Sequence, residues 1–108
     1  MSNLKQVSGA EFEQAVLRSN TPVLVDFYAD WCAPCRAQAP ILESVAQKFE
    51  GDAKIVKVDI DADPELAARF SVRSIPTLLL FNGGELQDTR VGVSTAAQLE
   101  LLFTSQAA

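Results

Sequence analysis

The sequence contains no histidine and only two cysteines. The first absence removes the commonest metal ligand and the side chain most used for proton transfer near neutral pH. A structural zinc site takes about four nitrogen or sulfur ligands, so two cysteines without histidine argue against one within the chain. No metal site is expected. Covalent haem attachment calls for histidine directly after the second cysteine; Arg36 stands there. Basic clusters are also missing. The 9 Lys and Arg are scattered among 14 Asp and Glu, for a net charge of −5, which argues against a nucleic-acid partner. Long apolar runs are missing too. Leu78-Leu79-Leu80-Phe81 falls far short of the ~20 residues of a membrane helix. The N-terminus, Met1 to Gln6, lacks the charged stretch and apolar run of a secretory signal. The expectation is a soluble, cytoplasmic chain with no membrane partner.

What remains is ordinary for a globular protein. The 108 residues are 48% hydrophobic and 21% charged, enough for one core and one domain spanning 1–108. The surface reads as that of a monomer. Leu4 to Val7 offers a short first strand. Ser8 precedes Glu11 by three positions, a capping-box spacing, and Phe12, Val16 and Leu17 recur at helical spacing over 9–19. Val23 to Tyr28 is apolar on both alternating faces, the mark of a central buried strand. A long helix follows to about Phe49, with Pro40 inside it as an expected kink. Ile55 to Ile60 reads as a strand. Asp63-Pro64 opens a short helix to Phe70. Leu78 to Phe81 and Gln87 to Val93 flank the hairpin signal Asn82-Gly83-Gly84. Ser94 or Thr95 caps a last helix carrying Leu99, Leu102 and Phe103. The order β-α-β-α-β-α-β-β-α predicts an α/β fold with helices on both faces of a mixed sheet.

The chemistry concentrates at Cys32-Ala33-Pro34-Cys35, where a buried strand gives way to a helix. Residues three apart in a first helical turn share a face, close enough for their sulfurs to bond. At the helix start, free backbone N–H groups and the helix dipole favour a thiolate, which lowers the pKa of Cys32 and makes it a nucleophile. Pro34 removes an N–H that the first turn leaves unpaired anyway. A Cys32 thiolate that attacks a partner's disulfide forms a mixed disulfide, and Cys35 then resolves it. A purely structural disulfide fits poorly. So short a loop removes little chain entropy, and the cytosol reduces such bonds.

Asp26 lies in the middle of the apolar strand. Either burial raises its pKa and makes it a proton acceptor, or it faces a wet edge or bonds to backbone. Lys57 is its partner if the two strands are adjacent, and otherwise a solvent-facing strand residue. Trp31 is either core or part of a docking surface beside the nucleophile. Ile75-Pro76 is either a simple turn or a cis bond opening a strand.

Val25-Asp26-Phe27-Tyr28-Ala29-Asp30-Trp31-Cys32-Ala33-Pro34-Cys35-Arg36 resembles the signature of the thioredoxin family. Pro40, Lys57-Val58-Asp59, Arg73-Ser74-Ile75-Pro76-Thr77, Gly83-Gly84 and Gly92 extend the likeness from about Leu4 to Phe103. The resemblance implies the thioredoxin fold: three α/β/α layers, a central five-stranded mixed sheet and four helices. It implies a protein-disulfide reductase with Cys32 attacking and Cys35 resolving. Asp26 resembles the buried acid that helps deprotonate Cys35, and Lys57 its neighbour. Pro76 resembles a cis proline packed on the active-site disulfide. Trp31, Ile75, Pro76 and Gly92, with backbone around Ala33 and Pro34, resemble a substrate groove. The implied partners are disulfide-containing proteins and an NADPH-dependent flavoprotein, thioredoxin reductase, so the chain itself needs no cofactor. Three positions depart from the usual pattern: Ala33 replaces glycine, Tyr28 tryptophan and Arg36 lysine. Alanine stiffens the turn and bears on the redox potential. Two other readings are a disulfide-forming oxidase or isomerase, and a thioredoxin-fold binding subunit that does not use its thiols.

Overall fold

Val23–Tyr28 forms strand β2 at the centre of the sheet, and its first five residues are buried. That position follows from its apolar residues on both faces, since only a strand covered on two sides gains from such a pattern. The computed structural model describes residues 4–106. Around β2 run β1 (Lys5–Gln6), α1 (Gly9–Phe12), a π-helical segment (Glu13–Leu17), α2 (Ala33–Lys48), β3 (Lys54–Asp59), α3 (Pro64–Arg69), β4 (Thr77–Asn82), β5 (Glu85–Val91) and α4 (Ala96–Thr104). The five-stranded sheet has the order β1-β3-β2-β4-β5. β1, β3 and β2 are parallel, while β4 is antiparallel to both β2 and β5.

Alternation along each strand divides the core in two. Phe12, Val25, Phe27, Val58, Leu66 and Phe81 pack on the side of α1 and α3. Leu24, Leu42, Val45, Ile55, Leu78 and Leu99 pack on the side of α2 and α4. The mixed, three-layer α/β/α architecture expected from the sequence is thus present. Leu24 is fully buried between α2, α4 and the sheet. Leu24→Ala is expected to cost about 2–5 kcal/mol of stability, read from urea unfolding.

Several element ends differ from expectation for local reasons. The first helix does not run as one α-helix to residue 19. After Phe12 it widens into the π segment, where the Arg18 N–H reaches back to the Glu13 carbonyl at 2.9 Å. At its start, where Ser8 and Glu11 form the expected capping box, the Glu11 carboxylate accepts from both the Ser8 N–H and the Ser8 Oγ, at 3.0 Å each. The last helix is capped by Thr95, not Ser94. Thr95 Oγ1 accepts the Gln98 N–H at 3.1 Å, and Gln98 Oε1 accepts the Thr95 N–H at 2.8 Å. α2 continues through Pro40, where the ring nitrogen has no hydrogen to give the ladder.

Strand β5 begins and ends two residues earlier than predicted. A bulge between Leu80 and Phe81 shifts its register, and Gly92, at φ +88°, takes the chain out of the strand. The β4–β5 connection is the two-glycine turn Gly83-Gly84, both residues at positive φ. A Cβ at Gly84 would lie 2.9 Å from the Leu17 carbonyl oxygen, so the turn also needs glycine for lack of room. β5 is an outer strand of the sheet, and the N–H of Thr89 there donates to the carboxylate of Asp88 at 2.8 Å.

Candidate active site at the start of helix α2

Strand β2 ends at Tyr28, and four residues later the chain enters α2 with Cys32 as its N-cap. Cys32 takes an extended backbone, and the N–H of Cys35 donates to its sulfur at 3.2 Å. The first turn is completed by the Arg36 N–H to the Cys32 carbonyl at 3.1 Å. Pro34 occupies the first turn and leaves no donor unsatisfied there. This is the arrangement that favours a thiolate at Cys32 once the pair is reduced: one N–H already aimed at the sulfur and the positive end of a 16-residue helix behind it. In the structure the two sulfurs are joined as a disulfide, with the Cα atoms 5.2 Å apart. Both cysteines are almost covered, packed with Ala29, Tyr28, Ile60 and Ile75.

The surface around the pair comes from separate elements. Trp31 is 67% exposed, so it is not a core residue. Its indole N–H donates to Asp61 Oδ2 at 2.8 Å. Asp61 is itself set by the turn after β3, where Asp59 Oδ1 accepts the N–H groups of Asp61 and Ala62 at 2.8 and 3.4 Å. Ala33 and Pro34 are exposed. Ile75 is half-buried, with its carbonyl oxygen 3.8 Å from Cys32 Sγ. The Ile75–Pro76 bond is cis, and the Pro76 carbonyl accepts the Gly92 N–H at 2.8 Å. Gly92 has open space where a side chain would go, and Val91 and Val93 flank it, exposed. Trp31, Ala33, Pro34, Ile75, Pro76 and Gly92 therefore gather at one end of the sheet around the disulfide.

Beneath them lies Asp26, 4% exposed. It shares the face of β2 that α2 and α4 cover, between Lys57 of β3 and Leu78 of β4 in register. Its Oδ1 atom is buried with no hydrogen-bond partner. Burial raises its pKa to about 7, with Lys57 pulling weakly the other way. Lys57 is adjacent, as the strand reading required, yet none of the ion pairs among the described residues joins the two. The Lys57 ammonium instead sits over the Tyr28 ring, 5.2 Å from its centre. The Tyr28 hydroxyl donates to Gln6 Oε1 at 3.1 Å. On the other flank, Arg36 Nη1 donates to the Asp30 carbonyl at 2.8 Å, which holds a positive charge near the cysteines.

A raised carboxyl pKa sets the sign of a pH effect. The folded state holds the Asp26 proton more tightly than the unfolded chain does, so its contribution is fully present below pH 4. It is lost progressively as pH rises to about 7. Relative to Asp26→Asn, the native chain is expected to lose up to about 4 kcal/mol between pH 4 and pH 8. Urea unfolding of both chains across that range measures it.

The matching family model is Thioredoxin, over residues 3–105. The chain belongs to the thioredoxin family. It is 50% identical to Thioredoxin 1 of Nostoc sp. over 92 residues, 85% of this chain and 86% of that protein. It is 49% identical to the thioredoxin of Synechocystis sp. over 92 residues, 85% and 86% of the two chains. To the thioredoxin of Porphyra purpurea it is 43% identical over 98 residues, 91% and 92%. Family membership and the Cys32–Cys35 pair together make the chain a thiol–disulfide oxidoreductase, and they do not favour the thiol-independent binding subunit.

Two residues of this thioredoxin-family site escape a reading of the sequence. Asp61 looks like one more loop carboxylate, and only the fold places it against Trp31. Gln38 is fully buried in the apolar stripe Cys35, Gln38, Leu42, Val45 of α2. A polar residue at a core position of an amphipathic helix was the available signal.

Proposed function

We propose that the chain reduces disulfides in partner proteins by dithiol–disulfide exchange. The observation that carries this is Cys32 at the N-cap of α2, with the Cys35 N–H directed at its sulfur and Cys35 three residues away on the same face. The Cys32 thiolate attacks one sulfur of the partner's disulfide. That S–S bond breaks, the leaving sulfur departs as thiolate and takes up a proton, and Cys32 is left in a mixed disulfide. Cys35 then gives up its proton and attacks Cys32. The second partner sulfur leaves, and Cys32–Cys35 forms. Two electrons have passed to the partner. A thioredoxin reductase drawing on NADPH returns them, and the cytoplasm is the compartment that suits the cycle.

Asp26 receives the Cys35 proton. Support for this comes from its place on the α2 side of β2, its unpartnered oxygen and a pKa near the working pH. Lys57 keeps the site close to neutral from above the Tyr28 ring. Trp31, Ala33, Pro34, Ile75, Pro76 and Gly92 hold the partner's extended chain over the cysteines. The turnover of the native chain is expected to rise with pH through about 7 as Asp26 ionises. Asp26→Asn is expected to slow turnover by about ten-fold at pH 7, less than a full general base contributes because water also accepts the proton. Unchanged turnover removes the role.

The test of the function is reduction of insulin disulfides with dithiothreitol as electron source. Catalytic acceleration of B-chain precipitation supports the reading, and none refutes it.

A further inference from the structure

Gln38 is an amide buried where an amphipathic helix calls for an apolar side chain. It is 0% exposed, one turn beyond Cys35 on the face of α2 that meets the sheet. An uncompensated amide in such a place is strongly unfavourable, so its partners matter. Both lie on one residue, 56 positions away. Gln38 Nε2 donates to the Ser94 carbonyl at 3.1 Å, and the Ser94 N–H donates to Gln38 Oε1 at 2.7 Å. The side chain thus reads the backbone of Ser94 in both directions, as a neighbouring strand would. Ser94 is itself buried. The segment it belongs to begins at Gly92, tied to the Pro76 carbonyl at 2.8 Å, and ends at Thr95, the N-cap of α4. Exposed Val93 stands between the two ties.

We propose that Gln38 is a positioning residue for partner binding: its amide clasps Ser94 and so fixes the Gly92–Val93 wall of the groove to the helix that carries the cysteines. The inference rests on the reading of Gly92 and Ile75 as groove. A wall held in place before the partner arrives loses little freedom on binding, whereas a loose one must be ordered at that moment. The clasp therefore acts on capture of a protein chain more than on exchange between sulfurs already in contact. It also ties the wall to the helix that carries Cys35, because Gln38 lies on α2 and Ser94 in the segment between β5 and α4.

The variants are Gln38→Met, which keeps the volume and removes both bonds, and Gln38→Glu, which keeps the acceptor for the Ser94 N–H. Ile75→Ala tests the groove separately. With insulin as substrate, Gln38→Met is expected to raise KM about five-fold, the weight of roughly one net hydrogen bond, while kcat holds within about two-fold. Gln38→Glu falls between Gln38→Met and the native chain. Hydrogen exchange is expected to quicken at the Ser94 and Gly92 amides and to stay slow at Leu24 and Leu80, a pattern that a general loss of stability does not give. If Gln38→Met does not fold, the intermediate KM and the quickened Gly92 exchange of Gln38→Glu decide the matter alone. A raised KM in Ile75→Ala beside an unchanged KM in both Gln38 variants overturns the clasp and leaves the groove standing. An unchanged KM in Ile75→Ala overturns the groove reading, and with it the proposal.

Discussion

Cys32→Ser is expected to bring insulin reduction down to the rate of dithiothreitol alone. The loss is complete because the reaction needs a sulfur that can be both nucleophile and partner in a disulfide, and a hydroxyl does neither at neutral pH. Few substitutions separate chemistry from folding so cleanly. Serine is among the preferred N-cap residues, so its Oγ takes the place of Cys32 Sγ as acceptor for the Cys35 N–H now made at 3.2 Å. The disulfide removed spans only three positions, a loop too short for its loss to release much entropy in the unfolded chain. Thermal unfolding of the variant should therefore stay close to that of the reduced native chain. Activity remaining at the native level would show that the dithiol is not the reactive group.

Cys35→Ser is expected to give the opposite phenotype: attack without release. Cys32 still meets the partner's disulfide, but the group that resolves the intermediate is gone. Resolution by Cys35 is intramolecular, with the two Cα atoms 5.2 Å apart. Effective molarities for well-placed pairs far exceed any concentration of external thiol. Release is expected to slow by roughly a thousand-fold or more on that ground. The measurement is a non-reducing gel after mixing with insulin, where a covalent 1:1 adduct should accumulate and vanish on adding excess dithiothreitol. Absence of the adduct, with Cys32 shown to be reduced beforehand, would assign the first attack elsewhere.

The site's central parts were legible because they are local. Cys32, Pro34 and Cys35 sit within one helical turn, so their spacing already describes the geometry. The strand identity of Val23–Tyr28 followed from its apolar residues on both faces, interrupted only by Asp26, and the adjacency of Asp26 and Lys57 followed once β2 and β3 were paired. What stayed hidden depends on long-range placement. The Lys57 ammonium chooses the Tyr28 ring over the carboxylate beside it in register, and strand order alone does not decide between them. Asp61 and Ser94 acquire their roles from residues 30 and 56 positions away. The π-helical widening after Phe12 and the register shift at Leu80 and Phe81 each insert a residue that periodicity cannot anticipate. Trp31 was open in the sequence because an aromatic beside a cysteine packs inward or outward on equal terms; the Asp61 hydrogen bond turns it outward.

Strand β5 bears on how such a molecule survives its own clientele. A disulfide reductase works on other proteins, and an extended segment of a protein can pair with an exposed strand edge. An outer strand with free N–H groups is a template for that joining, with aggregation as the result. Here the Thr89 N–H is already occupied by Asp88, the bulge interrupts the flat run, and Gly92 turns the chain away directly after Val91. The carboxylate of Asp88 thus leaves this border of the sheet one donor fewer for an outside strand to join.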